Sequence, residues 1–234
     1  MEVFISNNRN GLMSTKIKEI IVALLSIPKT LIINYRALPF RQAIKLPIIA
    51  RYDTKIIEIH KGIIHFSSQP TSFMVKIGFS GSEGIVKRKQ SICFESGRVV
   101  FGKHNVFSEG ISLRNSGELI FGDDFYCNRN CTIWSSESIS FGNDITLGWD
   151  ITLRDCDGHM VVSEGVPGKV QAPIKIGSHV WICSKSDILK GAGCGDNSVI
   201  GYRSLLTKNY NQGNVLIAGH PAKVIRDNIN WVHG

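Results

Sequence analysis

Apolar residues recur every six positions late in the chain: Ile176, Ile182, Ile188, Cys194, Ile200 and Leu206. Four residues after each stands Val180, Ser186, Ala192, Ser198, Ser204 or Tyr210, all but the last small or β-branched. A period of six fits neither a helix, which repeats near 3.6, nor a strand, which repeats at two. It fits a parallel β-helix, in which short strands and turns wrap a triangular prism and each aliphatic residue stacks on its equivalent one coil away. Gly177, Gly195 and Gly201 follow three of the six and ease the backbone round its corners.

A second period precedes it. Phe101-Gly102, Phe121-Gly122 and Phe141-Gly142 repeat every twenty residues, and Ser96-Gly97 matches Ser116-Gly117. Phe107, Cys127 and Leu147 correspond, as do Ile111, Cys131 and Ile151. Each unit reads as three sixes plus two extra residues in a corner. The register is lost between Leu153 and Ile174, so 155–173, with three Gly and two Pro, is expected to protrude as a long loop. Insertions of this kind lie on the binding face of repeat proteins.

Outside the repeats the pattern changes. Residues 1–13 read as a loose polar start. Ser14 or Thr15 caps an expected helix over Lys16–Ile27, ended by Pro28, with Ile17, Ile20, Ile21, Leu24 and Leu25 on one face. Leu31–Arg51, with Pro39 and Pro47, reads as extended chain with turns, and strands are expected from about Ile56. Residues 79–91 read as a protruding turn. Val215–Ala218 reads as a strand, and Ala222–Trp231 as a short helix or extended cap. The expected layout is an arm at 1–55, a β-helix at 56–213 and a cap at 214–234.

Charge sharpens the picture of the arm. Of the formal +8, residues 1–52 carry +6, eight basic side chains against Glu2 and Glu19. The prism is nearly neutral, which argues against a nucleic-acid partner. The apolar run Ile20–Ile27 is too short to span a bilayer and lacks a small-x-small cleavage site. Two readings of the arm stay open: a helix packed on the prism or on another subunit, and a peripheral membrane contact through residues 1–51. The six cysteines form no C-x-x-C pair and read as reduced thiols of a cytoplasmic protein, with no metal expected.

Several segments together carry a resemblance: Phe125-Tyr126-Cys127-Asn128-Arg129-Asn130, Asp155-Cys156-Asp157-Gly158-His159, Val180-Trp181-Ile182, Thr207-Lys208, and Ala218 to Arg226. They resemble the hexapeptide-repeat O-acetyltransferases, among them the galactoside, maltose and polysaccharide-modifying enzymes, over about residues 95–228. The resemblance implies an all-β fold, a left-handed parallel β-helix of hexapeptide repeats with an N-terminal helical arm, a protruding loop and a C-terminal cap. It also implies a homotrimer with active sites between prisms, acetyl-CoA as donor, and a carbohydrate acceptor.

His159 falls where that family places its catalytic His. A positioned imidazole there would take the acceptor hydroxyl's proton as it attacks the thioester. Asp155 or Asp157 is a candidate to orient it, or a turn residue. Asn128 matches an acceptor-contacting Asn, or forms an Asn ladder at a coil corner, and Trp181 matches a Trp near the substrate pocket, or packs as a corner aromatic under the loop. Ser184, Tyr202 and Thr207 match the pantetheine groove, and Lys208, Lys223 and Arg226 match positions near the nucleotide phosphates.

The chain departs from the family at Cys183, where Gly is usual, at Lys190–Gly193 and at Tyr202-Arg203. Alternatives are N-acetylation of a nucleotide-linked amino sugar and a non-catalytic scaffold. A zinc enzyme of the γ-carbonic-anhydrase type needs three converging His, but His60 and His65 lie before the clear repeats and no third His is well placed.

Overall fold

Inward-facing residues of the repeats build three parallel sheets around one shared core, in the computed structural model that describes residues 17–233. The chain winds through the first face (Asn105–Phe107, Phe125–Cys127, Ile145–Leu147, Val180–Ile182), then the second (Ser112–Asn115, Thr132–Ser135, Thr152–Arg154, Asp187–Leu189). It closes each coil on the third (Glu118–Phe121, Ser138–Phe141, Ile174–Ile176). This is a left-handed parallel β-helix: the repeats implied the parallel β-helix, and the resemblance implied its hand.

The register explains both periods. Thr132 lies between Ser112 and Thr152, twenty residues each way. Beyond the protruding segment the step falls to eighteen, with Asp187 opposite Leu205 and Lys175 opposite Gly193. Both dropped residues come from the corner between the second and third faces. Thr132 to Ser140 spans eight steps there, whereas the equivalent Asp187 to Gly193 spans six. The protruding segment enlarges that same corner.

Phe101, Phe121 and Phe141 stack inside the prism at 5.4 and 5.5 Å with planes within 7° of parallel, and Phe107 and Phe125 meet them edge-on. The Gly after each Phe lets adjacent coils close: a Cβ at Gly122 would lie 2.3 Å from the Gly142 carbonyl oxygen. The third-to-first corner turns through His104, Asp124, Asp144 and His179, all at positive φ. All six cysteines are free, four of them buried as small hydrophobes.

The arm differs from the sequence expectation. The polar start at 1–13, the cap at Ser14 or Thr15, and Lys16 lie outside the described residues. Residues 17–25 are helical, but Pro28 opens a second helix, Ile27–Ala37, where extended chain was expected from Leu31. In the first turn its missing N–H leaves no helical bond unmade. A short helix, Phe40–Ala43, follows, and the prism begins at Ile48–Ala50, ahead of position 56.

A polar ladder hid the second helix. Ser26, Thr30 and Asn34, four residues apart, face Tyr52, Ala50 and Ile48, two residues apart. The Tyr52 N–H donates to Ser26 Oγ (3.1 Å), the Ala50 N–H to Thr30 Oγ1 (3.2 Å) and the Ile48 N–H to Asn34 Oδ1 (3.2 Å), while Asn34 Nδ2 donates to the Ile48 carbonyl (2.6 Å). Four helical residues rise about 6 Å and two strand residues about 6.6 Å, so the two periods match. The helix thus stands in for a missing strand at the sheet edge, which would otherwise present unpaired backbone.

The protruding segment is an ordered antiparallel arm, not an open loop. Val162–Ser163 pairs with Val166–Pro167, Cys156 bridges Gln171, and the Ala172 N–H donates to the Asp155 carbonyl. The cap is extended: Val215–Gly219 adds to the first face and Ala222–Asp227 folds back on it as a hairpin.

Candidate active site

Each corner of the prism repeats once per coil, so a residue's corner fixes which others it can meet. Asn128, Ser184 and Tyr202 stand at the corner between the first and second faces. His159, Thr207 and Lys208 stand at the corner between the second and third. Trp181 lies on the outside of the first face, and Lys223 and Arg226 on the closing hairpin. The two corners are separated by a four-residue strand, about 13 Å.

His159 follows Gly158, which has positive φ and open space around it, and is exposed near the base of the arm. Among the described residues its ring makes no hydrogen bond, so both ring nitrogens are open to a ligand. Thr207 and Lys208 are exposed at the same corner, two coils further along, about 10 Å by the interstrand spacing.

The two aspartates expected to orient His159 are engaged elsewhere. Asp155 is fully buried and accepts the N–H groups of Ser136 (2.7 Å), Glu137 (2.9 Å) and Ser138 (2.7 Å), with the Ser135 hydroxyl at 3.3 Å. A carboxylate removed from water needs such donors, and here they belong to the corner of the preceding coil. Asp157 pairs with Lys190 at 2.6 Å. Among the described residues, neither makes a hydrogen bond or an ion pair with His159.

Asn128 is also spoken for. Its Oδ1 accepts the N–H groups of Ser82 (3.0 Å) and Arg129 (2.8 Å), and its Nδ2 donates to Ser82 Oγ (2.8 Å). The amide expected to meet an acceptor instead ties down the 79–91 loop. Asn130 does the same two residues on, accepting from the Arg88 N–H and donating to the Val86 carbonyl.

On the candidate donor side, Ser184 is buried: its hydroxyl accepts the Trp149 N–H and its carbonyl the Arg203 N–H. Tyr202 is 54% exposed on the next coil. Lys208 Nζ lies 5.3 Å over the Tyr210 ring, and Lys223 and Arg226 are exposed. Trp181 is 40% exposed, 6.1 Å from Trp231. The terminal segment is docked there: Trp231 stacks on His179 at 4.3 Å, and Asp144 accepts from His179 (2.5 Å) and His233 (2.9 Å).

A cleft of about 190 Å³ beside Gly158 brings in residues that the sequence reading passed over. Arg154 lies 5.1 Å over the Trp134 ring and, among the described residues, makes no ion pair, while Arg114 is held by Glu95. Their numbers, 114, 134 and 154, step by twenty and so form one outward row. That spacing was the available signal.

No family model matches the chain. It is 33% identical to the galactoside O-acetyltransferase of Escherichia coli K12 over 144 residues, 61% of this chain and 70% of that protein. It is 29% identical over 203 residues to an uncharacterised 24.8 kDa protein in the cps region of Klebsiella pneumoniae, covering 85% and 87% of the two chains. Among solved structures, the polySia-specific acetyltransferase NeuO aligns with a TM-score of 0.53 at 22% identity, over 80% of this chain and 78% of that one, which supports the fold.

Proposed function

The chain belongs to the hexapeptide-repeat acetyltransferases, and on that premise we propose that it transfers the acetyl group of acetyl-CoA to a carbohydrate hydroxyl, with His159 as general base. The observation that carries the reading is the exposed His159 ring, free of hydrogen bonds among the described residues, at the same corner as Thr207 and Lys208. The acceptor hydroxyl gives its proton to an imidazole nitrogen as its oxygen attacks the thioester carbonyl. The tetrahedral oxyanion collapses, the C–S bond breaks, and the imidazolium returns the proton to the departing CoA sulfur. A surface polysaccharide or its precursor is the favoured acceptor, since the chain is 35% identical over 96 residues to a polysialic acid O-acetyltransferase of Escherichia coli O1:K1.

The site belongs between subunits. Ser184 and Tyr202 occupy one corner and His159, Thr207 and Lys208 the next, too far apart around one prism to line a single narrow groove. In a homotrimer the first corner of one prism can face the second corner of its neighbour.

Calorimetric titration with acetyl-CoA, run beside a sizing column, tests this. Micromolar binding by a trimer is expected, and His159→Ala should retain it while lowering kcat by about 10²–10⁴-fold. Equal turnover by His159→Ala would remove it from the mechanism, and a well-folded trimer that ignores acetyl-CoA would leave a scaffold.

A further inference from the structure

The helical arm is polar where it meets the prism and apolar where it meets solvent. Its inward side carries the ladder Ser26, Thr30 and Asn34 beside Ile33 and Ala37. Its outward side carries Ile17, Ile21, Leu24, Leu25, Leu31 and Ile32, between 39% and 61% exposed. At 100° per residue these outward positions form one continuous arc with no charge in it. Apolar side chains gain by leaving water, so keeping the whole arc exposed is unfavourable.

The arc runs into an apolar groove of about 330 Å³ between arm and prism, lined by Ile20, Leu24, Ile27, Leu31, Ile49 and Phe73. Cations frame it. From 17 to 45 the chain holds Lys18, Lys29, Arg36, Arg41 and Lys45 against Glu19 alone, a net +4. Lys18, Lys29 and Arg36 follow one flank of the helical wheel, and among the described residues none of these five cations makes an ion pair. Phe40 and Ile44, 66% and 52% exposed, continue the apolar surface beside Arg41 and Lys45.

We propose that residues 17–45 dock flat on an anionic phospholipid surface, the apolar arc among acyl chains and the cationic flank at the headgroups. The chemistry favours lipid over a second copy of this chain. Self-contact would bring equal +4 patches together, whereas an anionic leaflet neutralises them. No helix among the described residues is long and apolar enough to cross a membrane, which matches lying in the interface. The inference is independent of the acetyl-transfer reading, and its test uses neither donor nor acceptor.

Full-length protein is floated with vesicles of phosphatidylcholine alone or mixed with phosphatidylglycerol, at low and high salt. Co-flotation is expected with the mixed vesicles at low salt, weakening as salt rises. Ile21→Glu/Leu25→Glu should abolish flotation with an unchanged circular dichroism spectrum and elution volume. Lys18→Gln/Lys29→Gln should lower partitioning about thirtyfold, from about 1 kcal/mol per cation. Absence of wild-type flotation would overturn the proposal. So would Ile21→Glu/Leu25→Glu reducing the oligomeric state, because the arc would then be a contact between copies.

Discussion

A buried carboxylate such as Asp155 has to find donors, and here it finds them in the backbone of another coil. Asp155→Ala would leave three N–H groups unpaired and should cost about 2–4 kcal/mol, read as a lower denaturant midpoint. Below the melting range its kcat should match wild type, since the side chain does not reach His159. A large loss of kcat with no loss of stability would restore it to the reaction. Sequence spacing could not separate these roles. Asp155 and His159 are four residues apart, but the first closes a core corner while the second stands exposed at the base of the protruding 155–173 segment. The exposure of His159 was legible because Gly158 and the loss of hexad register mark an exposed turn. The engagement of Asn128 was not, because Ser82 lies 46 residues away in sequence.

Two elements show how far local pattern carries. The helix Ile27–Ala37 escaped the periodicity argument because polar Thr30 and Asn34 occupy its buried stripe; only the adjacent sheet edge gives them a reason to be there. The terminal segment was likewise undecided until Trp231 met His179. Its anchoring should depend on pH. The hydrogen bond to Asp144 raises the His179 pKa above its ordinary 6.5 despite burial, so that contribution is full below 6.5 and fades as pH rises through the raised value. Burial pushes Asp144 upward, but the bonds from His179 and His233 outweigh it and hold the pKa below 3.8, so its contribution is lost only as pH falls through that lowered value. Anchoring should therefore peak between these limits. Tryptophan fluorescence, with Trp231→Phe as control, should show a transition above pH 6.5; a flat profile through pH 9 would dismiss the anchor.

At the scale of the molecule, stability is shared along a continuous ladder, each coil touching mainly its neighbours. Phe121 is fully buried between Phe101 and Phe141, so Phe121→Ala should cost about 3–5 kcal/mol, measured by chemical denaturation. Exposed Val86→Ala should stay within about 0.5 kcal/mol, and equal effects would refute the stacked core. The prism was settled by sequence alone, because each coil must place an apolar residue at each inward position and the core therefore prints its period on the chain. The insertion after Leu153 was settled the same way, as a break in that period. Only the tertiary structure decided which corner each candidate residue occupies, that the arm turns its polar face inward, and that Asp155, Asp157 and Asn128 already have partners. Those facts depend on residues brought together across coils, and a side chain's partner across a coil leaves no local mark in sequence.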